Sequence, residues 1–563
     1  MKKLKKVFSL LFALVMALAM NVTVFASGDG GEGTVDPNPP ATSTTYTITI
    51  ENNKEGHTYK AYQIFSGDLS GSVLSNVQWG EDDVNGSALL AALKKDTEIG
   101  NEFADCTSAA DVAKKLATFD NNSAKLDQFA AIVGQNIIED SGKNFSYNQG
   151  LYTVSGLSAG YYFVKDDEAV TGNDASTKFI LKLVKDTTVA PKSDVPTVEK
   201  KVQENSDKYE ADGGYGNGYN DVADWNIGDH VPFKLIGTLP KADVYDDYDT
   251  YKYVFHDTLS TGLTLDENSI KVYYATTKNA VGDNRTEIAS TNYTVTVPGI
   301  EESNKCSFEI GFDNLKSVAG VSAPGFIIVE YTATLNQNAE IGLDGNPNEV
   351  YLEFSNNPNA GGEGDTGTTP SDKVVVFTYE LDVTKVDGAN TGTTLQGAEF
   401  KLRDNRGKWV KVDEDGKVTG WADDEKDGTV LTSDSNGLFK VIGLDDGTYY
   451  LKETKAPNQY NELKDEIKLE IKATTVHKQD WDGVSASEVL EKLQLTVTIG
   501  TTESTNDGNE TTGIVSTQVE NNKGATLPET GGIGTRIFYA VGAVLMIGAA
   551  VLLITRKRTE KNQ

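Results

Sequence analysis

Three residues far apart in the chain, Lys385, Glu453 and Asn521, are of the types needed to make a covalent bond without an outside reagent. In the run Leu381-Asp-Val-Thr-Lys385, strand alternation puts Leu381, Val383 and Lys385 on one face. If the two apolar residues face a core, the lysine does too. A buried ammonium is expensive, so this amine must be paired, or neutral with its pKa lowered by desolvation. A neutral amine is a nucleophile. Set against the carboxamide of Asn521, with a protonated Glu453 polarising that carbonyl, it permits amide exchange with loss of ammonia. The product is a Lys–Asn isopeptide crosslink. Asn522 is an alternative to Asn521. A second lysine, in Val198-Glu-Lys200, has the same inward spacing, which favours Lys200 over Lys201.

The elements that must position these residues are strands. Most of the chain alternates apolar and polar residues in short runs divided by Gly, Asn and Asp, as in Tyr46–Ile50, Tyr293–Val297 and Leu493–Ile499. Helical periodicity is confined to Ala88–Lys95, Ala109–Leu116 and Ala124–Ile138. The fold class is therefore all-β, with helical insertions in the first domain. Gly150-Leu-Tyr-Thr-Val-Ser-Gly-Leu aligns without gaps on Gly437-Leu-Phe-Lys-Val-Ile-Gly-Leu, and the match runs on to Asp166 and Glu453. The first and last domains are thus expected to share a fold. The first is nevertheless expected to lack a crosslink. Its opening strand, Thr47–Ile50, has no lysine, and its closing strand, Phe179–Val184, has no asparagine.

The ends of the chain carry addresses. Basic Met1–Lys6, apolar Val7–Phe25 and the small Ala26 read as a secretory signal, 1–26, followed by a flexible leader, 27–45. At the other end an apolar run, 537–554, is long enough to span a bilayer and is followed by Arg556-Lys557-Arg558. Just before it stands Leu527-Pro528-Glu529-Thr530-Gly531, which resembles the LPxTG motif of sortase substrates of Gram-positive bacteria. The resemblance implies that a sortase cleaves after Thr530 and passes its acyl group to an amine. The sorting signal covers 527–558. Pro- and Gly-rich stretches set the remaining boundaries: a first domain at 46–192, a middle domain at 193–360, a linker at 361–372 and a last domain at 373–525.

The last domain, with Lys385, Tyr450-Leu-Lys-Glu453-Thr-Lys-Ala-Pro457 and Val519-Glu-Asn521, resembles the Cna B-type domains of sortase-assembled Gram-positive backbone pilins. That family implies immunoglobulin-like β-sandwiches in tandem and assigns the crosslink to Lys385 and Asn521 with Glu453 as the acid. Tyr253-Val-Phe-His-Asp257 and Phe354-Ser-Asn356-Asn-Pro358 resemble the acid and asparagine segments of the second domain of fimbrial backbone subunits. The resemblance implies a Lys200–Asn356 bond with Asp257 as the acid and Asn357 as an alternative. Val189-Ala-Pro-Lys192 is similar to a pilin motif, with Ala190 where that motif commonly has Tyr. Lys192 is then the expected acceptor for Thr530, with Lys182, Lys185 and Lys200 competing.

Composition narrows the function classes. A net charge of -32, from 83 acidic and 51 basic residues, opposes binding to nucleic acid. Cys106 and Cys306 fall in different domains, and the four histidines have no metal-ligand spacing. No cofactor, metal or enzymatic constellation is expected beyond self-crosslinking. The expected function is a covalently polymerised pilus shaft subunit, secreted and anchored to the cell wall. Its expected partners are other copies of itself, a class C pilin sortase, a housekeeping sortase, accessory or tip pilins, and peptidoglycan. The alternative is a monomeric wall-anchored adhesin or stalk.

Overall fold

The computed structural model describes residues 44–119, 124–168, 170–191, 193–205, 215–297, 307–362, 364–476, 479–524 and 533–559. The signal sequence, Cys306, Lys192 and the Leu527–Gly531 motif lie outside them.

Strands from Tyr46 to Val189 form two sheets. One has the spatial order Ser146–Asn148, Leu151–Leu157, Tyr46–Glu51, Thr187–Val189. The other sets Tyr59–Ser70 beside Gly160–Asp166, which pairs in turn with Lys178–Leu183. Ile48, Ile50, Val154 and Val164 fill the space between them. The expected helices are present as Gly86–Lys95, Ala109–Leu116 and Ala124–Gly134, with a short added turn at Gly100–Phe103. They build a second core around Phe103, Val112 and Phe129, against Tyr62 and Phe65 of the sheet. The Phe179–Val184 run does not lie beside the opening strand, as a closing strand would. It pairs with Gly160–Asp166 in the opposite sheet, and the parallel partner of the opening strand is Thr187–Val189.

In the middle domain, the sheet containing Val198–Gln203, His230–Thr238, Phe326–Leu335 and Leu263–Ala275 faces a second one. That second sheet runs Val222–Asp224, Asp372–Phe377, Asn346–Ser355, Tyr253–Leu259, Phe308–Phe312. The expected linker 361–372 is corrected here. Gly361, Gly362 and Gly364 all have positive φ, which lets the chain double back, and Thr366–Thr368 then pairs with Asn346–Ser355. Asp372–Phe377 is a strand of the same sheet, so the middle unit runs to Phe377 and the last one opens at Tyr379.

In the last unit the opening strand Tyr379–Asp387 lies between Leu438–Leu444, antiparallel, and the closing strand Ile514–Asn521, parallel. The facing sheet holds Glu399–Asp404, Gly447–Lys455, Ile467–Thr475 and Leu490–Ile499. The apolar cores of the middle and last units are continuous. At their junction Ile227 N–H donates to Gly443 O at 3.0 Å. Gly443 has φ +95°, and a Cβ there would meet Ile227 Cδ1 at 2.5 Å. The C-terminal helix Ile533–Thr559 contains one span, Arg536–Arg558, long and apolar enough to cross a membrane.

Gly443→Ala adds both a backbone strain and a clash at this junction, and is expected to destabilise it by about 1–3 kcal/mol. Scanning calorimetry should show the middle and last domains melting less cooperatively than in the parent chain.

Candidate functional site

The last domain brings its three predicted residues together. Alternation along Tyr379–Asp387 turns Tyr379, Leu381, Val383 and Lys385 inward, and along the closing strand it turns Val515, Thr517, Val519 and Asn521 inward. Glu453 comes from the facing sheet, on the inward row with Tyr449 and Leu451. Lys385 and Asn521 are fully buried and Glu453 nearly so. Lys385 Nζ lies 3.7 Å from Glu453 Oε1 and donates to Val519 O at 3.0 Å. Asn521 Nδ2 donates to Glu453 Oε2 at 3.1 Å and also to Asn461 O. The same Oε2 accepts the Leu463 N–H at 2.6 Å. Burial lowers the Lys385 pKa to about 8, against the raising effect of Glu453. Two buried oxygens, Glu453 Oε1 and Asn521 Oδ1, accept no hydrogen bond among the described residues. Asn522 is exposed.

The middle domain assembles a similar set, with one change. Lys200 is fully buried and its Nζ lies 2.5 Å from Asp257 Oδ2. Burial lowers the Lys200 pKa to about 8 and raises that of Asp257. Lys201 turns to Asp221 instead. Asn356, the expected partner, is not here. Asp257 pairs directly with Val350 on the Asn346–Ser355 strand, so Asn356 stands six residues further on, roughly 20 Å away along the strand. Its side-chain amide instead clasps the first domain, Nδ2 donating to Val170 O at 2.7 Å and Asp174 O at 3.2 Å, while its backbone carbonyl accepts from Ser176 N–H at 2.7 Å. Asn357 caps the Pro358–Ala360 turn. The carboxamide at the lysine–acid pair is that of Asn348, fully buried, whose Nδ2 donates to Tyr331 OH at 2.8 Å. Tyr331 OH donates to Asp257 Oδ2 at 2.9 Å. Asp257 Oδ1 and Asn348 Oδ1 again accept no hydrogen bond among the described residues. The signal for Asn348 was legible: in Asn346-Pro-Asn348-Glu-Val350-Tyr-Leu352 it falls on the inward face, where a carboxamide needs a reason.

The first domain differs in chemistry. Asn52 N bonds Gly150 O as Lys385 N bonds Gly437 O, so Asn52 stands at the position of Lys385 in the repeat. Asp166, at the position of Glu453, bonds His57 Nδ1 at 2.8 Å, and His57 Nε2 reaches Asp174 at 3.1 Å. No buried lysine stands here; the amine that reaches the cluster is that of half-exposed Lys54, whose Nζ lies 3.0 Å from Asp174 Oδ1.

Other expected residues are placed as follows. Lys182 Nζ donates to Ser72 O at 2.8 Å at the surface, Lys185 is exposed, and Lys200 is sealed in its core. Cys106 is buried and free. Glu204, Asp224 and Asp445 bring carboxylate oxygens within 4.8 Å of one another at the junction of the middle and last domains. All three are engaged there: Glu204 accepts the Asp224 N–H, and Asn205 donates to Asp445.

This geometry defines a protein of tandem β-sandwiches, two of which hold a lysine, an acid and an asparagine between their sheets. Residues 227–358 match the Gram-positive pilin backbone subunit 2, Cna-B-like domain; 379–484 match the SpaA prealbumin-like fold domain; and 519–561 match the LPXTG cell wall anchor motif. The chain is 27% identical over 383 residues to the trypsin-resistant surface T6 protein of Streptococcus pyogenes serotype M6; the match spans 59% of this chain and 65% of that relative. The solved T6 backbone pilin, described as a modular three-domain structure, superposes with a TM-score of 0.50 at 18% identity, covering 86% of this chain and all of that one. The major pilin SpaD of Corynebacterium diphtheriae has a TM-score of 0.45 at 18% identity, covering 85% and 98%. Three segments of the chain thus match domains described for Gram-positive pilin backbones and their cell-wall anchor, and the chain spans just under two thirds of the curated relative it matches.

The His57 pair gives the first domain a pH dependence. Burial alone would lower the His57 pKa, but its hydrogen bonds to Asp166 and Asp174, with their charges, outweigh it and raise it from 6.5 to about 9. A raised pKa means that the folded state holds the proton more tightly, so this stabilisation is complete below pH 6.5 and is lost as pH rises through about 9. The melting temperature of the first domain should fall over that window, and His57→Leu should flatten the fall.

Proposed function

We propose that the chain is the repeating subunit of a pilus shaft, joined head to tail from Thr530 of one copy to Lys192 of the next. We propose also that it is stiffened by two self-made bonds, Lys200–Asn348 and Lys385–Asn521. Asp257 and Glu453 are the respective acids. The observation that carries the crosslinks is the recurrence, in two unrelated sequence contexts, of one buried arrangement: lysine beside acid, asparagine within the same hydrogen-bond network, and both the second acid oxygen and the amide oxygen unbonded. Moving the shared proton from amine to acid gives a nucleophile and a polarised carbonyl in one step. Water is excluded, so the amine keeps its reactivity and the bond, once made, is protected. Head-to-tail joining rests on the anchor match and on the backbone-pilin relatives. A pilin-class sortase would join copies, a housekeeping sortase would attach the last one to peptidoglycan, and accessory pilins would share the same donor chemistry.

Intact mass of the mature chain should fall by about 34 Da, one ammonia per bond. Asn348→Ala and Asn521→Ala should each restore about 17 Da, while Asn356→Ala should restore none. The reactive state has the same proton count as the ion pair, so the rate should be level near neutrality. It should decline above about pH 8, where the pair loses its proton. In the native host, Lys192→Ala should remove the high-mass ladder and leave wall-anchored monomer; a persisting ladder would point to another lysine.

A further inference from the structure

The two crosslink sites differ at one atom. In the last domain the leaving nitrogen, Asn521 Nδ2, bonds the acid itself, Glu453 Oε2, and the Asn461 carbonyl. In the middle domain the corresponding nitrogen, Asn348 Nδ2, bonds the hydroxyl of Tyr331 at 2.8 Å. That hydroxyl also lies 3.1 Å from Lys200 Nζ and 2.9 Å from Asp257 Oδ2, so it touches all three members of the set. Its position is fixed. The ring is stacked on Phe233 with centroids 5.4 Å apart, meets Phe308 edge-on at 5.1 Å, and is only 2% exposed.

Amide exchange needs one proton to move from the attacking nitrogen to the departing one. We propose that Tyr331 is a catalytic residue of the middle-domain crosslink, its hydroxyl relaying that proton from Lys200 to Asn348. The inference rests on the crosslink reading above. Neutral Lys200 Nζ adds to Asn348 Cγ, and the carbonyl oxygen is held by the proton on Asp257. The attacking nitrogen, now cationic, gives a proton to the Tyr331 oxygen as the Tyr331 hydroxyl proton passes to Nδ2, which has become a pyramidal amine with a free lone pair. The Cγ–Nδ2 bond breaks, ammonia leaves, and the Lys200–Asn348 amide remains. Tyrosine and aspartic acid end as they began, and no other reagent is consumed. Burial holds the hydroxyl protonated, as a relay requires. The last domain needs no such relay, because Glu453 already contacts its leaving nitrogen.

The last domain is therefore an internal control. The full chain is expressed in a brief pulse. At successive times it is denatured and digested, and the fractions of Lys200–Asn348 and Lys385–Asn521 linked peptides are read by mass spectrometry. Tyr331→Phe keeps the ring and removes the hydroxyl. It is expected to slow the first link about 100-fold, the lower range for general acid–base catalysis, and to leave the second unchanged. Equal rates in variant and parent would overturn the relay. Absence of both links in the parent chain would overturn the crosslink reading itself, and the relay with it. Folding is checked on chains that cannot form the middle bond: Asn348→Ala and Asn348→Ala/Tyr331→Phe should melt together. A large drop in the double variant would reduce the role of Tyr331 to packing and overturn the proposal.

Discussion

Everything distinctive in this chain follows from placing a lysine amine between two β-sheets. The interior cannot solvate an ammonium, so Lys200 and Lys385 each need a carboxylate within reach, and each acid is drawn into the same dry layer. A buried ion pair of this kind contributes little to stability, because desolvation offsets the Coulomb attraction. Its consequence is chemical. Burial lowers the amine's affinity for its proton, and at Asp257 it also raises that of the acid, so a single proton shift makes nucleophile and electrophilic catalyst together.

Topology decides what a bond at such a site would carry. In the last domain the opening and closing strands are parallel neighbours, with Lys385 opposite Val519 and Asp387 opposite Asn521. Tension between the domain's two ends would pull these strands past each other in shear, loading their hydrogen bonds together. A Lys385–Asn521 bond would hold the first strand to the last and leave the intervening sheet unloaded. The middle domain is different. Asn348 lies on the sheet opposite Lys200, and the chain continues through Asp372–Phe377 before leaving the domain. A bond there would tie sheet to sheet, resisting their separation more than the shear of neighbouring strands.

Much of this was legible in the sequence, for identifiable reasons. The period of two placed Lys385 and Lys200 inward because each follows apolar residues at alternate positions. The helices Ala109–Leu116 and Gly86–Lys95 were readable from their apolar stripes. What failed was information that depends on pairing between distant strands. Asn356 and Asn348 have the same parity on one strand, and only the register of Asp257 against Val350 separates them. The glycine run at 361–364 has a linker's composition, yet positive φ at three of its residues makes it a reversal that returns the chain to its own sheet. Strand order likewise cannot be read from alternation. Phe179–Val184 alternates like a strand but pairs in the opposite sheet, and the three-residue Thr187–Val189 takes the closing place.

The first domain shows that the scaffold and the reaction are separable. It keeps the repeat, the sheet pairing and the acid, but Asn52 replaces the lysine, and the acid is engaged by His57. A histidine bridging two aspartates, with half-exposed Lys54 on the second, supplies charge pairing where the last domain has a buried lysine. Beside the chain that links it to the middle domain, it is held there by hydrogen bonds: Asn356, buried and turned away from the lysine, binds the backbone at Val170 and Asp174. Asp174 is at the same time the second partner of His57. The domain next to the proposed acceptor Lys192 thus shares one residue between its internal charge cluster and its interface. On the proposed reading, reversible bonds at that end would leave room for movement while an incoming copy is joined, and the two domains with proposed crosslinks would carry the load of the finished shaft.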